Sequence, residues 1–144
     1  MTDDSSLTCS KRPWRVTLFS LAVLALGGGI NLSRAAWAWR TDLPVSTSMP
    51  MAWLAVTSLA WGVVLSACSV GLWRLRPWGR RGMLAAVSLY QVHIWINHLL
   101  FDRSDYAPQV WPLAVAHTLL TLLVVWSFLY WPAVRRLYGE KKEE

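Results

Sequence analysis

Three stretches of this chain, 51–73, 82–101 and 110–131, are each at least 20 residues long and contain no Asp, Glu, Lys or Arg. An α-helix rises about 1.5 Å per residue, so roughly 20 apolar residues cross the ~30 Å hydrocarbon layer of a bilayer. A fourth run, 16–37, is weaker, because Arg34 interrupts it near its far end and Gly27, Gly28 and Gly29 lie in its middle. The expected fold is all-α: an integral membrane four-helix bundle forming one domain over 1–144. Its spans fall at about 16–37, 51–73, 82–101 and 110–131, with tails at 1–15 and 132–144. Only 15% of the residues are charged, against a usual ~25%, and the loops are too short for a soluble domain. A cleaved signal peptide is the rival reading of the first run, with "KRPWR" as its basic region and "SRAA" as a poor cleavage site. The apolar character resumes in "AAWAW" and carries the run to spanning length.

The arginines then orient the spans. Lys11, Arg12, Arg15, Arg74, Arg76, Arg80, Arg81, Arg135, Arg136, Lys141 and Lys142 fall on one side, and only Arg34, Arg40 and Arg103 on the other. The positive-inside rule places both termini and the middle loop in the cytoplasm. The net charge of +6 is thus explained by attraction to anionic inner-leaflet lipid, with Arg74, Arg76, Arg80 and Arg81 as the contacts and no need for nucleic acid. Eight of the 11 tryptophans sit at span ends, where an amphipathic indole prefers the headgroup level. Cys9 and Cys68 are too differently placed to suggest a disulfide framework.

The boundary pattern occurs twice. "RPWR" at 12–15 is echoed by "RPWGRR" at 76–81, "RTDLP" by "RSDYAP", and "PMAW" by "PQVW". This reads as two copies of one helical hairpin related by an axis along the membrane normal, although bilayer thickness and the positive-inside rule impose much the same spacing. Within the second span Ser58, Gly62 and Ser66 form a small-residue stripe at i, i+4 spacing. Lipid supplies no hydrophobic drive between helices, so small residues that let backbones approach are the expected packing surface. Gly27, Gly28 and Gly29 either serve the same end or bend the first span.

The third run carries the chemistry. In "YQVHIWINHLLFD", Tyr90, His93 and Asn97 share one helical side, while Gln91, His98 and Asp102 share another. Two polar stripes imply protein neighbours on both, since polar groups left in hydrocarbon are costly; the third span is accordingly expected to be the central one. By helical rise His93 and His117 both lie about 11 to 12 Å below the outer boundary. Asn31, Arg34, Asn97 and His98 belong to the same outer half. These residues, with Gln91, His93, Asp102 and His117, form the candidate polar zone.

Three uses of that zone remain open. It can be structural, with the polar groups hydrogen-bonding between helices and Arg34 reaching outward. It can hold a haem between His93 and His117, or a metal ion through His98, Asp102 and His117. It can bind or transport a small molecule, a lipid or a quinone. No spacing nominates a nucleophile and base, so a non-enzymatic structural, accessory or binding component is expected, without an assigned cofactor. It would act alone, as a homo-oligomer or within a larger membrane complex. "GVVLSACSVGLWRLRPWGRRG" and "FLYWPAVRRLYGEKKEE" resemble small uncharacterised four-span proteins of bacteria. That resemblance implies an inner-membrane location and brings no catalytic residues.

Overall fold

The computed structural model describes residues 14–40, 50–101 and 107–138. Asp102, Asp105, Arg103 and Cys9 lie outside the described residues, as do the tails before 14 and after 138. Every element among the described residues is helical, and four helices are long and apolar enough to span a bilayer. The chain is a multi-pass membrane protein built as an all-α four-helix bundle.

The first span runs without a break from Trp14 to Arg40, longer at both ends than its apolar run. It comprises α1 (Trp14–Val23), a π-helical turn (Leu24–Gly29) and α2 (Ile30–Arg40). The glycines sit in the widened turn, where Gly28 is buried against the second span. A Cβ added to Gly28 would collide with the Ser66 hydroxyl, and one added to Gly62 would come 2.8 Å from Leu32. Small residues therefore set this helix pair at backbone-to-backbone distance, where dispersion contacts are most numerous. A π register also leaves a carbonyl without its i+4 amide donor, and Asn31 Nδ2 donates to the Gly27 carbonyl at 2.7 Å.

α3 (Met51–Trp73) ends in a motif that reverses the chain sharply. The Arg76 amide donates to the Gly71 carbonyl at 3.0 Å and the Leu75 amide to the Leu72 carbonyl at 3.0 Å, the bond pair of a Schellman cap. Leu75 takes the left-handed position at φ 54°, which glycine would occupy without steric cost; its side chain packs instead against the apolar core. Pro77 then opens α4 (Pro77–Phe101), with its φ already suited to a first helical turn. The third span thus begins five residues before its apolar run, because a helix continues past the hydrocarbon boundary wherever its backbone bonds continue. A Cβ on Gly79 would overlap the backbone of Gly71, so α3 and α4 also meet glycine to glycine.

α5 (Ala107–Tyr130) packs less closely than the other spans, and α6 (Pro132–Leu137) turns back beneath the bundle. Residues 132–138, assigned to a tail by composition, bury Val134 and Tyr138. The core gathers Leu65, Cys68, Leu72, Met83, Val125, Leu129, Val134 and Tyr138 at the arginine-rich end. Phe19 stacks on Phe128 at 4.2 Å and ties the first span to the fourth. The second span, not the third, is the most enclosed: 39% of its most apolar window is buried, against 17% for the third. The correction has a simple cause, since α3 carries the small residues that admit neighbours on two sides.

Candidate ligand site between the first three spans

Toward the arginine-poor end, the face of α4 bearing Tyr90, His93 and Asn97 meets α2 and α3. Trp53 Nε1 donates to Asn97 Oδ1 at 3.2 Å, and Asn97 Nδ2 lies 2.9 Å from His93 Nε2. An indole N–H can only donate, so the amide oxygen must face it and the amide nitrogen must face the imidazole. His93 Nε2 therefore accepts, and the ring is the neutral tautomer carrying its proton on Nδ1. Two indoles from α3 flank that ring, Trp61 at 5.8 Å and Trp53 at 6.3 Å between centroids. Trp61 also meets Tyr90 edge-on at 5.3 Å. Asn31 closes the ring of contacts from α2, its Nδ2 and Oδ1 lying 3.2 and 3.3 Å from the Tyr90 hydroxyl.

These groups surround a cavity of about 60 Å³ lined by Asn31, Arg34, Thr57, Ser58, Trp61, Tyr90, His93 and Asn97, with Leu54 and Ile94 as its apolar part. That is room for about two waters at ~30 Å³ each, or for one compact polar group. Arg34 is exposed at its edge and forms no hydrogen bond or ion pair with the described residues. Trp53 and Trp61 are the members that sequence reading missed. Their signal was present: Trp53, Thr57 and Trp61 recur every four residues, a stripe matching the one on α4.

The other candidates go elsewhere. Gln91 is 3% exposed and accepts from the Thr118 hydroxyl at 3.3 Å, while Trp95 Nε1 donates to Thr118 Oγ1 at 3.1 Å. This second stripe fastens α4 to α5. His98 lies beside Trp95 at 6.0 Å between centroids, and His117 is exposed on α5. The structure therefore does not bring His93 and His117 together. His93 presents its lone pair to Asn97, and a cavity of about 60 Å³ is far too small for a porphyrin, so these residues do not fit a haem. Among the described residues no three His, Cys, Asp or Glu side chains are grouped to hold a metal ion; Asp102 lies outside them. Ser58 and His93 share the cavity, but the engaged Nε2 leaves His93 without a free basic nitrogen.

The arginine-rich end holds a separate polar cluster. Arg80 is 4% exposed; its Nε donates to the Leu129 carbonyl at 2.9 Å, and its guanidinium lies 5.2 Å from the Tyr130 ring centroid. Arg80 therefore does not point outward with Arg74, Arg76 and Arg81, which are exposed; it neutralises the C-terminal end of α5. The Tyr138 hydroxyl donates to the Leu72 carbonyl at 3.0 Å and so supplies a donor to the last turn of α3. Burial pushes the Tyr138 phenol up to about 12, partly offset by the positive charge of Arg80. Comparison of the chain with protein-family models, with curated proteins and with solved structures finds no match.

Proposed function

We propose that this chain is a non-enzymatic binding or accessory component of a bacterial inner membrane, and that the cavity between the first three spans is its binding site. The supporting observation is convergence: three helices direct Asn31, Arg34, Ser58, Tyr90, His93 and Asn97 at one small cavity, where lipid-facing sequence would serve equally well if only span length mattered. Polar groups this deep are costly unless they have partners or a ligand. The arginine distribution supports both termini being cytoplasmic, which puts the cavity in the outer half of the bundle. Arg74, Arg76 and Arg81 then meet anionic inner-leaflet lipid.

Two measurements test the reading. Reporters fused after Arg40, Arg76 and Asp105 should show the middle loop inside and the other two outside; a cytoplasmic reporter at Asp105 removes the outer placement. Native mass spectrometry of the detergent-purified protein should show a retained small molecule or lipid that is absent from a variant whose cavity is filled by Thr57→Phe. A wild-type chain that retains nothing leaves the cavity a packing defect.

A further inference from the structure

The hydrogen-bond inventory of the cavity is lopsided. Asn97 spends both ends of its amide on Trp53 and His93. Asn31 spends its own on Gly27 and Tyr90. Thr57 donates to the Trp53 carbonyl at 2.7 Å. Arg34 brings five N–H donors and no acceptor, the Nδ1–H of His93 is a further donor, and the Ser58 hydroxyl can donate or accept. Among the described residues no Asp or Glu lines the cavity.

Depth sharpens the point. Arg34 lies six residues inside the end of its span at Arg40, about 9 Å along the helix. A cation at that depth needs a counter-charge or a route to the interface; Asp42, Asp102 and Asp105 lie outside the described residues.

We infer that the cavity binds a compact, acceptor-rich anion, a phosphate or carboxylate group, with Arg34 as its counter-ion and Ser58 and His93 as further donors. This rests on the reading of the cavity as a binding site. Guanidinium presents two parallel N–H bonds to either group, and charge-assisted bonds of that kind are about twice as strong as neutral ones. The volume suits a single such group. Neutral His93 also fits, because its Nδ1–H needs an acceptor whereas its Nε2 already has a donor. The phosphate of an outer-leaflet lipid and a free anion from the outer medium share this chemistry.

The test uses full-length protein in nanodiscs of phosphatidylcholine alone or with phosphatidylglycerol, with inorganic phosphate titrated from outside. Retained species are read by native mass spectrometry and phosphate affinity by calorimetry. Wild-type protein is compared with Arg34→Gln, Arg34→Lys and the control Arg40→Gln, an exposed arginine on the same helix that does not line the cavity. Selective retention of phosphatidylglycerol identifies a lipid headgroup; phosphate binding in phosphatidylcholine identifies a free anion. In either case Arg34→Gln should weaken the interaction about tenfold or more, the value of one hydrogen bond to a charged group. Arg34→Lys should recover part of that loss and Arg40→Gln should leave it unchanged. Equal losses in Arg34→Gln and Arg40→Gln would show general surface charge and overturn the inference. Retention of phosphatidylcholine or another neutral species regardless of Arg34 also overturns it while the binding site stands. An empty wild-type cavity under all conditions overturns both.

Discussion

α3 and α5 are similarly apolar, and each is long enough to cross a bilayer, yet 39% of the most apolar window of one is buried and only 11% of the other. The difference lies in side-chain size. α3 brings Ser58, Gly62, Ser66 and Gly71 to its contacts, whereas Leu119, Leu120 and Leu123 of α5 are each more than 60% exposed and α5 contains no glycine. In water both helices would bury their apolar faces for the same reason. In lipid a leucine gains little by leaving the acyl chains, so association falls to close packing and hydrogen bonds. α3 is held by shape; α5 is held by a few polar links and by the core at the arginine-rich end.

The sharpest way to break this contrast is to spoil the shape. Gly28→Leu forces a side chain into Ser66 and should destabilise the protein by about 3 kcal/mol, at the upper end for overpacking. Leu120→Ala on the exposed face of α5 should change stability by less than ~0.5 kcal/mol. Denaturant titration in mixed micelles compares them directly, and equal effects would end the argument that α3 depends on close approach.

Polar links should matter most for α5. Arg80→Met keeps much of the side-chain bulk but strips the Leu129 carbonyl of its donor, for a loss of about 2 kcal/mol. Limited proteolysis should then cut α6 faster, and an unchanged rate would show that Arg80 does not anchor the α5 terminus.

Tyr138→Phe removes a single bond to α3 and should cost about 1 kcal/mol. The wild-type bond has its own pH dependence. The docked phenol titrates near 12 and a free one near 10.0, so the raised value favours the neutral, docked form. Its contribution is complete below pH 10 and is lost as pH rises from 10 toward 12. Alkaline difference spectra of wild type and Tyr138→Phe should isolate a tyrosine titrating in that upper range; one titrating near 10 would mean that Tyr138 is solvated.

Among the polar links the smallest effect is expected at Thr118→Val, which cuts the Trp95–Thr118–Gln91 chain for about 0.6 kcal/mol. A loss of several kcal/mol would show that α5 is held by polar links more strongly than its exposure suggests.

Much of this was legible beforehand. Three uncharged runs and a fourth interrupted only by Arg34 located all four spans, and the Ser58, Gly62 and Ser66 spacing lies on the face that meets the first span. The two stripes on the third span were visible as stripes, but their partners were not. His93 and His117 share a depth, and depth is all that residue counting supplies; the rotation of α5 about its axis leaves His117 exposed. Arg80 read as one more interfacial arginine because nothing local distinguishes it from Arg81. Its burial depends on the carbonyl of Leu129, 49 residues away.

By itself the sequence determined the bilayer as solvent, the number of spans, their helical character and the arginine-rich end. Those follow from transfer free energy and charge summed along short stretches of chain, and no partner is needed to evaluate them. Tertiary structure decided which faces meet, which arginine is buried, which tautomer His93 adopts and which donors remain over at the cavity. Lipid exerts no general pull on apolar surface, so those choices rest on steric fit and hydrogen bonds between residues far apart in the chain.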